Sequence, residues 1–389
     1  MKTINSKQDL INYFEKGCKE ENQVSIGVEH EKFIFENFTK KRVNFKTISK
    51  VFNFLEQFGW KPIKERDYVI GLSREGQSIT LEPGNQIELS GKKLNSIHLN
   101  CTESYKYLDE LKKACKKLNL KMMSVSFDPF TKLENAPSTP KQRYEIMTKE
   151  MPKAGGKLSL DMMYQTCGTQ INLDYISEKD FIKKFKLSSF LTPISIAIFA
   201  NSSIIENRLS GYLSYRSKVW QNTSRAGLPE VFFENMDFEK YSDFTMTFPI
   251  LFIEKDKKYI ELRSMDACGW DCLCAGPAFN TGILYGNLDE ALDLVSKWDK
   301  NKIINAYLEV PKKGFNTQLM GKDLFYWSKI FLNLSKKGLE NRDIINKSNK
   351  NETKFLNHLE KIIDNKITNA DHMIDKFSKS ENLKDLYDK

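Results

Sequence analysis

The sequence predicts an α+β fold, an antiparallel sheet flanked by helices, and three observations carry that expectation. Short stretches with period-2 alternation recur along the chain, as in IGVEHEKFIF (26–35), SITLEPGNQIELSG (78–91) and YIELRSMD (259–266). Longer stretches with helical spacing separate them at irregular intervals, without a regular βαβ rhythm. No internal repeat, low-complexity tract or Gly/Ser/Pro linker divides the 389 residues, so a single domain over 1–389 is expected.

In chain order, Leu10, Ile11, Tyr13 and Phe14 mark an opening helix over 6–17. The strand IGVEHEKFIF follows, then a helix near 46–58 that stops at Gly59. SITLEPGNQIELSG reads as a strand, a Pro-Gly-Asn turn and a second short strand. Residues 96–118 form an amphipathic helix carrying Cys101 and Cys115, and MMSVSFDPF (122–130) is strand-like. LDMMYQTCGTQINLDY (160–175) ends in a strand, and SEKDFIKKFKLSSFLTPISIAIFANS opens on a Ser/Glu cap signal and continues through two helical segments. Residues 242–263 read as strands, 276–300 as helix, and 320–345 and 352–385 as closing helices.

Composition narrows the function classes. Apolar content of 40% and charged content of 29% are those of an ordinary globular chain. No stretch approaches the roughly 20 apolar residues of a membrane helix. MKTINSKQDLINYF lacks the apolar core of a signal peptide, so the cytoplasm is the expected compartment. The formal charge is +9, but the lysines of 109–117 and 364–389 sit among acids and apolar residues, as on solvated helix faces. Nucleic-acid binding would call for basic clusters interleaved with exposed aromatics, and the arginines here lie inside apolar motifs. Cys268, Cys272 and Cys274 form C-x3-C-x-C, yet no fourth ligand stands at zinc-finger spacing, His358 and His98 being distant.

The informative pattern is acidic. Glu29 and Glu31 point to one side of their strand about 7 Å apart and repel unless a cation lies between them. Glu82 and Glu88 flank the next turn, with Gln86 on the alternation of Glu88; Gln170 and Asn172, then Glu261 and Arg263, repeat the i, i+2 spacing. Hard oxygen ligands without a matching His or Cys set favour Mg2+. Arg143, Arg216, Arg225 and Arg263 are candidate clamps for carboxylate or phosphate. Carboxylates, Mg2+ and guanidiniums together suggest phosphoryl transfer. There is no Gly-x4-Gly-Lys-Ser/Thr loop, so the sheet itself must supply the nucleotide site.

Seven segments extend this reading: IGVEHEKFIF, SITLEPGNQIELSG, RYEIM (143–147), DMMYQTCGTQINLDY (161–175), AIFANSS (197–203), YRSKVWQNT (215–223) and ELRSMDACGWDCLCAGPAF (261–279). In that order, and nearly end to end, the chain resembles glutamate–cysteine ligase of the plant and proteobacterial type. The resemblance implies a catalytic sheet of the glutamine synthetase/guanido kinase-like kind. It implies ATP- and Mg2+-dependent ligation of the L-glutamate γ-carboxylate to the L-cysteine amine, the first step of glutathione synthesis. Glu29, Glu31, Glu82, Glu88 and Glu261 would then face metal, with Gln170 and Asn172 on the nucleotide side. Arg216 and Trp220 would hold glutamate, Met163 would wall the pocket, and Arg143 and Arg225 would be further substrate contacts. Arg263 would face the transferred phosphoryl group beside Glu261, the two acting in catalysis. Read from the residues alone, Trp220 is equally a core residue, Met163 packing and Arg225 a surface residue.

The chemistry suits the inventory. A carboxylate is a poor acyl donor; phosphorylating it creates an acyl phosphate that an amine can attack, given charge neutralisation and a dry site. The resemblance also places Cys101 opposite Cys274, where related enzymes form a regulatory disulfide. One departure stands out: EKDKKYI runs almost directly into ELRSMD, so the chain is shortened near 254–261. A second cysteine pair of plant members belongs to that segment, and a monomer is expected. The amine acceptor stays open, as does a reading as a basic nucleic-acid-binding protein.

Overall fold

A computed structural model describes residues 6–223, 227–247 and 258–380. Ser6 caps helix α1 (Lys7–Glu15) through a reciprocal pairing with Asp9, which satisfies two otherwise orphaned amides. Strand β1 (Ile26–Glu36) is followed by α2 (Phe45–Leu55), β2 (Lys61–Glu65), β3 (Tyr68–Arg74), β4 (Gln77–Leu81) and β5 (Ile87–Ser90). Next come α3 (Ile97–Lys117), β6 (Leu120–Met123), α4 (Gln142–Ala154), α5 (Ser159–Gln165), β7 (Gly168–Leu173) and α6 (Glu178–Phe199). A small ribbon, β8 (Ile204–Ile205) and β9 (Arg208–Leu209), leads to α7 (Tyr215–Gln221), α8 (Phe238–Met246) and β10 (Ile260–Asp266). The chain closes with α9 (Ala275–Thr281), α10 (Leu288–Val295), α11 (Lys300–Lys313), the ribbon β11 (Gln318–Leu319) and β12 (Lys322–Asp323), α12 (Leu324–Arg342), α13 (Asn357–Asn365) and α14 (Asn369–Ser380).

The main sheet has eight strands in the order β10-β7-β1-β5-β4-β3-β2, with β6 pairing the far end of β1, and every pairing is antiparallel. Alternation sorts its two faces. Val28 of β1, Ile79 and Leu81 of β4, Ile87 and Leu89 of β5, Ile171 of β7, and Ile260 and Leu262 of β10 join one core with α3, α6, α9 and α12. The opposite face carries the polar i, i+2 pairs. On β1 that face changes character midway: beyond Glu31, Phe33 and Phe35 enter a second, smaller core with Met123 and Cys167. Behind the sheet, Cys101 of α3 is disulfide-bonded to Cys274 at the start of α9, their Cα atoms 5.7 Å apart.

Four expectations need correction. The two helical segments expected after the Ser177 cap form one helix, α6, which runs on through Pro193. Residues 238–246 form α8, although 242–263 reads as strands. Asp237 caps the helix, and Phe238, Tyr241 and Phe244 fall on one side at helical spacing. Phe238 and Tyr241 meet Phe14 and Phe181 there, a helical docking that overrides β propensity. Residues 248–257, which include the first half of the shortened stretch, lie outside the described residues. The strand expected over 122–130 ends at Met123, because the Ser126 and Asp128 amides donate to Asn201 and Gln165 carbonyls instead of a ladder. The single helix expected over 276–300 is α9, a π turn at Gly282–Gly286, and α10. That turn lies against α12 so closely that a Cβ at Gly286 would come within 2.0 Å of the Gly338 carbonyl oxygen.

Candidate active site

Four neighbouring strands bring the acids together. Glu31 stands opposite Glu88 of β5, Glu29 opposite Gln170 of β7, and Asn172 opposite both Gly27 and Glu261. Glu31 accepts hydrogen bonds from the Gly168 amide at 2.6 Å and from Gln170 Nε2 at 2.6 Å. Glu29 accepts from Asn172 Nδ2 at 2.8 Å. Each amide donates to a carboxylate, while the buried Gln170 Oε1 and Asn172 Oδ1 have no partner among the described residues. Glu88 accepts from Ser90 Oγ at 2.9 Å and Thr80 Oγ1 at 3.2 Å, two hydroxyls on the same alternation.

The carboxylates act on one another. Burial pushes the Glu31 carboxyl up to about 7; Glu82 adds to the rise, while Arg263 and Arg216 oppose it. Burial also pushes Glu88 well above the usual carboxylate range, followed by repulsion from Glu82, Glu29 and Glu31. Arg263 shows the reciprocal effect. Burial disfavours its charge, but Glu261, then Glu31, Glu29 and Glu82, push its pKa up. Its guanidinium forms an ion pair with Glu261. No three Asp, Glu, His or Cys side chains among the described residues stand close enough together to hold a metal ion as they are.

Glu82 sits where β4 turns toward β5. The turn closes through Glu82 N to Gln86 O and Asn85 N to Glu82 O, with Asn85 at φ 59° as the Pro-Gly-Asn signal implies. Helix α4 covers this end. Tyr144 Oη donates to the Leu81 carbonyl at 2.8 Å and lies 3.4 Å from Glu82 Oε1, and Arg143 donates to Tyr144 Oη at 2.9 Å. Lys141 Nζ, buried and bound to the Leu81 carbonyl at 2.7 Å, is pushed down to about 8 by burial, with Glu82 opposing. Met163 is buried in α5, and its carbonyl accepts from Gln86 Nε2 at 3.1 Å. Arg143, Met163 and Gln86 thus gather at the hairpin.

Arg216 and Trp220 project from α7 toward β10. The Arg216 guanidinium lies across Gly168, where a Cβ would come within 2.6 Å of Nη2. It donates to the Arg263 carbonyl at 2.9 Å and stands 3.9 Å from Asp266. The Trp220 ring faces two guanidiniums, that of Arg216 at 5.1 Å and that of Arg263 at 5.4 Å. Here a cavity of about 230 Å³ opens, lined by Thr192, Ser195, Trp220, Glu261, Arg263 and Tyr307 among others. Arg225 lies outside the described residues. Cys274 is tied up in the disulfide, while Cys268 and Cys272 are buried free thiols.

Sequence reading missed Thr80, Ser90, Lys141 and Asp266. The first two obey the same period-2 alternation as Glu82 and Glu88 and were recoverable from it. Lys141 precedes a helix, where no periodicity betrays a buried ammonium.

Comparison with known proteins agrees with this geometry. The profile of glutamate–cysteine ligase family 2 matches residues 25–389. The chloroplastic glutamate–cysteine ligase of Solanum lycopersicum is 35% identical over 421 positions, covering 95% of this chain and 79% of the relative. The chloroplastic enzyme of Arabidopsis thaliana is 34% identical, covering 96% and 80%. The fold is that of the glutamate–cysteine ligase of Francisella tularensis, solved in complex with AMP: TM-score 0.56 at 11% identity, over 93% of this chain and 86% of that one. It is likewise similar to a bifunctional glutathione synthetase of Pasteurella multocida, with TM-score 0.57 at 12% identity, over 97% of this chain and 52% of that one. No described helix is long and apolar enough to cross a membrane. With a family profile running from β1 to the last residue and relatives matched over most of both lengths, this chain belongs to the glutamate–cysteine ligase family.

Proposed function

We propose that this chain joins the γ-carboxylate of L-glutamate to the amine of L-cysteine, with ATP converted to ADP and phosphate by way of a γ-glutamyl phosphate. The observation that carries the reading is the meeting of the carboxylates of β1, β5 and β10 with Arg216 and Arg263 at one end of one sheet.

The donor set fits Mg2+ in kind. It offers hard oxygens only, two amide oxygens without partners, and carboxylates whose mutual repulsion a divalent cation relieves. Glu29, Glu31, Glu82, Glu88 and Glu261 would hold it, and bound there it neutralises charge on the ATP phosphates. Gln170 and Asn172 fix Glu29 and Glu31 and offer their own oxygens beside them. Arg263, bound to Glu261, offsets negative charge on the phosphoryl group in transfer. Arg216 presents a planar fork to a glutamate carboxylate, with Trp220 as the wall that excludes water.

The test is phosphate release from ATP and Mg2+ with glutamate, offering cysteine and other amines separately and identifying the product by mass. Release that needs glutamate and yields γ-glutamylcysteine supports the reading. Release unchanged when another acid replaces glutamate, or a far higher kcat/KM with another amine, overturns it.

A further inference from the structure

Asp266 ends β10 and is almost fully buried, a carboxylate set apart from the acid face of the sheet by its partners. Its carboxylate collects partners from two segments. Oδ2 accepts from the Asn201 amide at 2.8 Å and from Ser202 Oγ at 2.8 Å, both just beyond α6. Oδ1 faces Ser214 Oγ at 3.0 Å and Arg216 Nη1 at 3.9 Å. The same hydroxyls reach the helix that carries Arg216. Ser202 Oγ accepts from the Arg216 amide at 3.1 Å, and Ser214 Oγ caps α7 by accepting from the Ser217 amide at 3.2 Å. One carboxylate therefore reaches both ends of the arginine, its backbone through two serines and its guanidinium as a buried ion pair at 3.9 Å.

The alternative partners do not suffice. Among the described residues the Arg216 guanidinium donates to the Arg263 carbonyl, and its buried Nε is unpartnered. Gly168 and Trp220 shape its slot without supplying an acceptor side chain. Without Asp266, the fork would keep only one of its two fixed directions.

Resting on the assignment of Arg216 to glutamate, we propose that Asp266 is the positioning residue that sets the Arg216 fork for the glutamate carboxylate. It touches no substrate; it acts through Arg216, with Ser202 and Ser214 as its links to α7. A residue that merely holds the fold would lower stability and kcat alike. A residue that orients Arg216 alters glutamate binding selectively, and only while Arg216 is present to be oriented.

The experiment is a double-mutant cycle of Asp266→Asn and Arg216→Lys, reading glutamate KM, ATP KM and kcat, with glutamate binding by calorimetry. Asp266→Asn should raise glutamate KM roughly tenfold, the loss of one charge-assisted contact. It should change kcat by less than about threefold, and in the Arg216→Lys background it should add little. Should Asp266→Asn fail to fold, Ser202→Ala takes its place, with a smaller rise in glutamate KM that also vanishes in the Arg216→Lys background. Effects that simply add, or a fall in kcat at unchanged glutamate KM, overturn the proposal. If Arg216→Lys raises glutamate KM and neither Asp266→Asn nor Ser202→Ala does, the proposal alone falls. If Arg216→Lys leaves glutamate KM untouched, the glutamate assignment falls and takes the proposal with it.

Discussion

Glu31 and Arg216 meet at Gly168 but belong to regions built on opposite terms. On the acid face, Glu31 and Glu88 are raised by burial and by neighbouring carboxylates, and two amide oxygens have no partner among the described residues. At α7, Arg216 lies in a slot shaped for it, between Gly168, the Arg263 carbonyl, Asp266 and Trp220. The difference separates two tasks. A carboxylate reader, the role proposed for Arg216, works best preorganised, whereas a set of repelling acids would be completed by the cation proposed for it. Gly168 serves both, its amide bound to Glu31 and its missing side chain leaving room for the guanidinium.

The largest effects lie on the acid face. Glu29→Gln and Glu31→Gln should abolish Mg2+-dependent ADP formation while leaving the fold intact. Gln is the sharper probe at position 31, because Ala would strip the Gly168 amide and Gln170 of their acceptor. Removing one repelling charge should leave the melting temperature unchanged or raise it by about 1–2 °C for a chain of this length. Near-normal turnover in either variant refutes the metal role. Unfolding of both makes the pair structural.

The junction itself comes next. Gly168→Ala would set a methyl 2.6 Å from Arg216 Nη2, and the buried guanidinium has little room to retreat. Glutamate KM should rise more than in Arg216→Lys, with the Mg2+ dependence of whatever activity remains unchanged. A parallel loss in both would show that the two regions are one rigid unit.

How much of this was legible in the sequence follows from the same division. The acid face was readable because strand alternation is strict: Glu29, Glu31, Glu88, Gln170, Asn172 and Glu261 share a face by counting alone, and the register aligns them. The slot of Arg216 was not. Its partners come from α6's end, α7 and β10, brought together by tertiary packing that no local period encodes. Resemblance supplied Arg216 and Trp220, but nothing in SMD marked Asp266 as their neighbour. The errors in the fold have the same origin. Residues 238–246 and 276–300 took their form from docking against other helices, and Gly282 and Gly286 became informative only once α12 lay against them.

Arg216→Lys isolates the geometry of the fork. The charge remains, and Lys can still reach one acceptor, but the second parallel donor is lost. Glutamate binding should weaken by about 1–3 kcal/mol, with ATP KM changed much less. An equal loss in both kinetic constants would move Arg216 to the phosphate side of the reaction and dissolve the contrast between the two regions.

The smallest catalytic effect is expected behind the sheet. The Cys101–Cys274 bond ties α3 to the start of α9, a few residues beyond Asp266, so it braces the arginine side more directly than the acid face. It closes a separation of 173 residues, for which the chain-entropy argument gives about 5 kcal/mol, against the about 2–4 kcal/mol typical of native disulfides. Reduction, or Cys101→Ser, should therefore lower the melting temperature and raise glutamate KM slightly, with the Mg2+ dependence unmoved. The measurement is a thermal melt beside glutamate and Mg2+ titrations, each on oxidised and reduced protein. A changed Mg2+ dependence at constant glutamate KM would reverse the assignment of the brace. A lower melting temperature with neither constant altered would leave the bond a staple of the fold, without a hold on the chemistry.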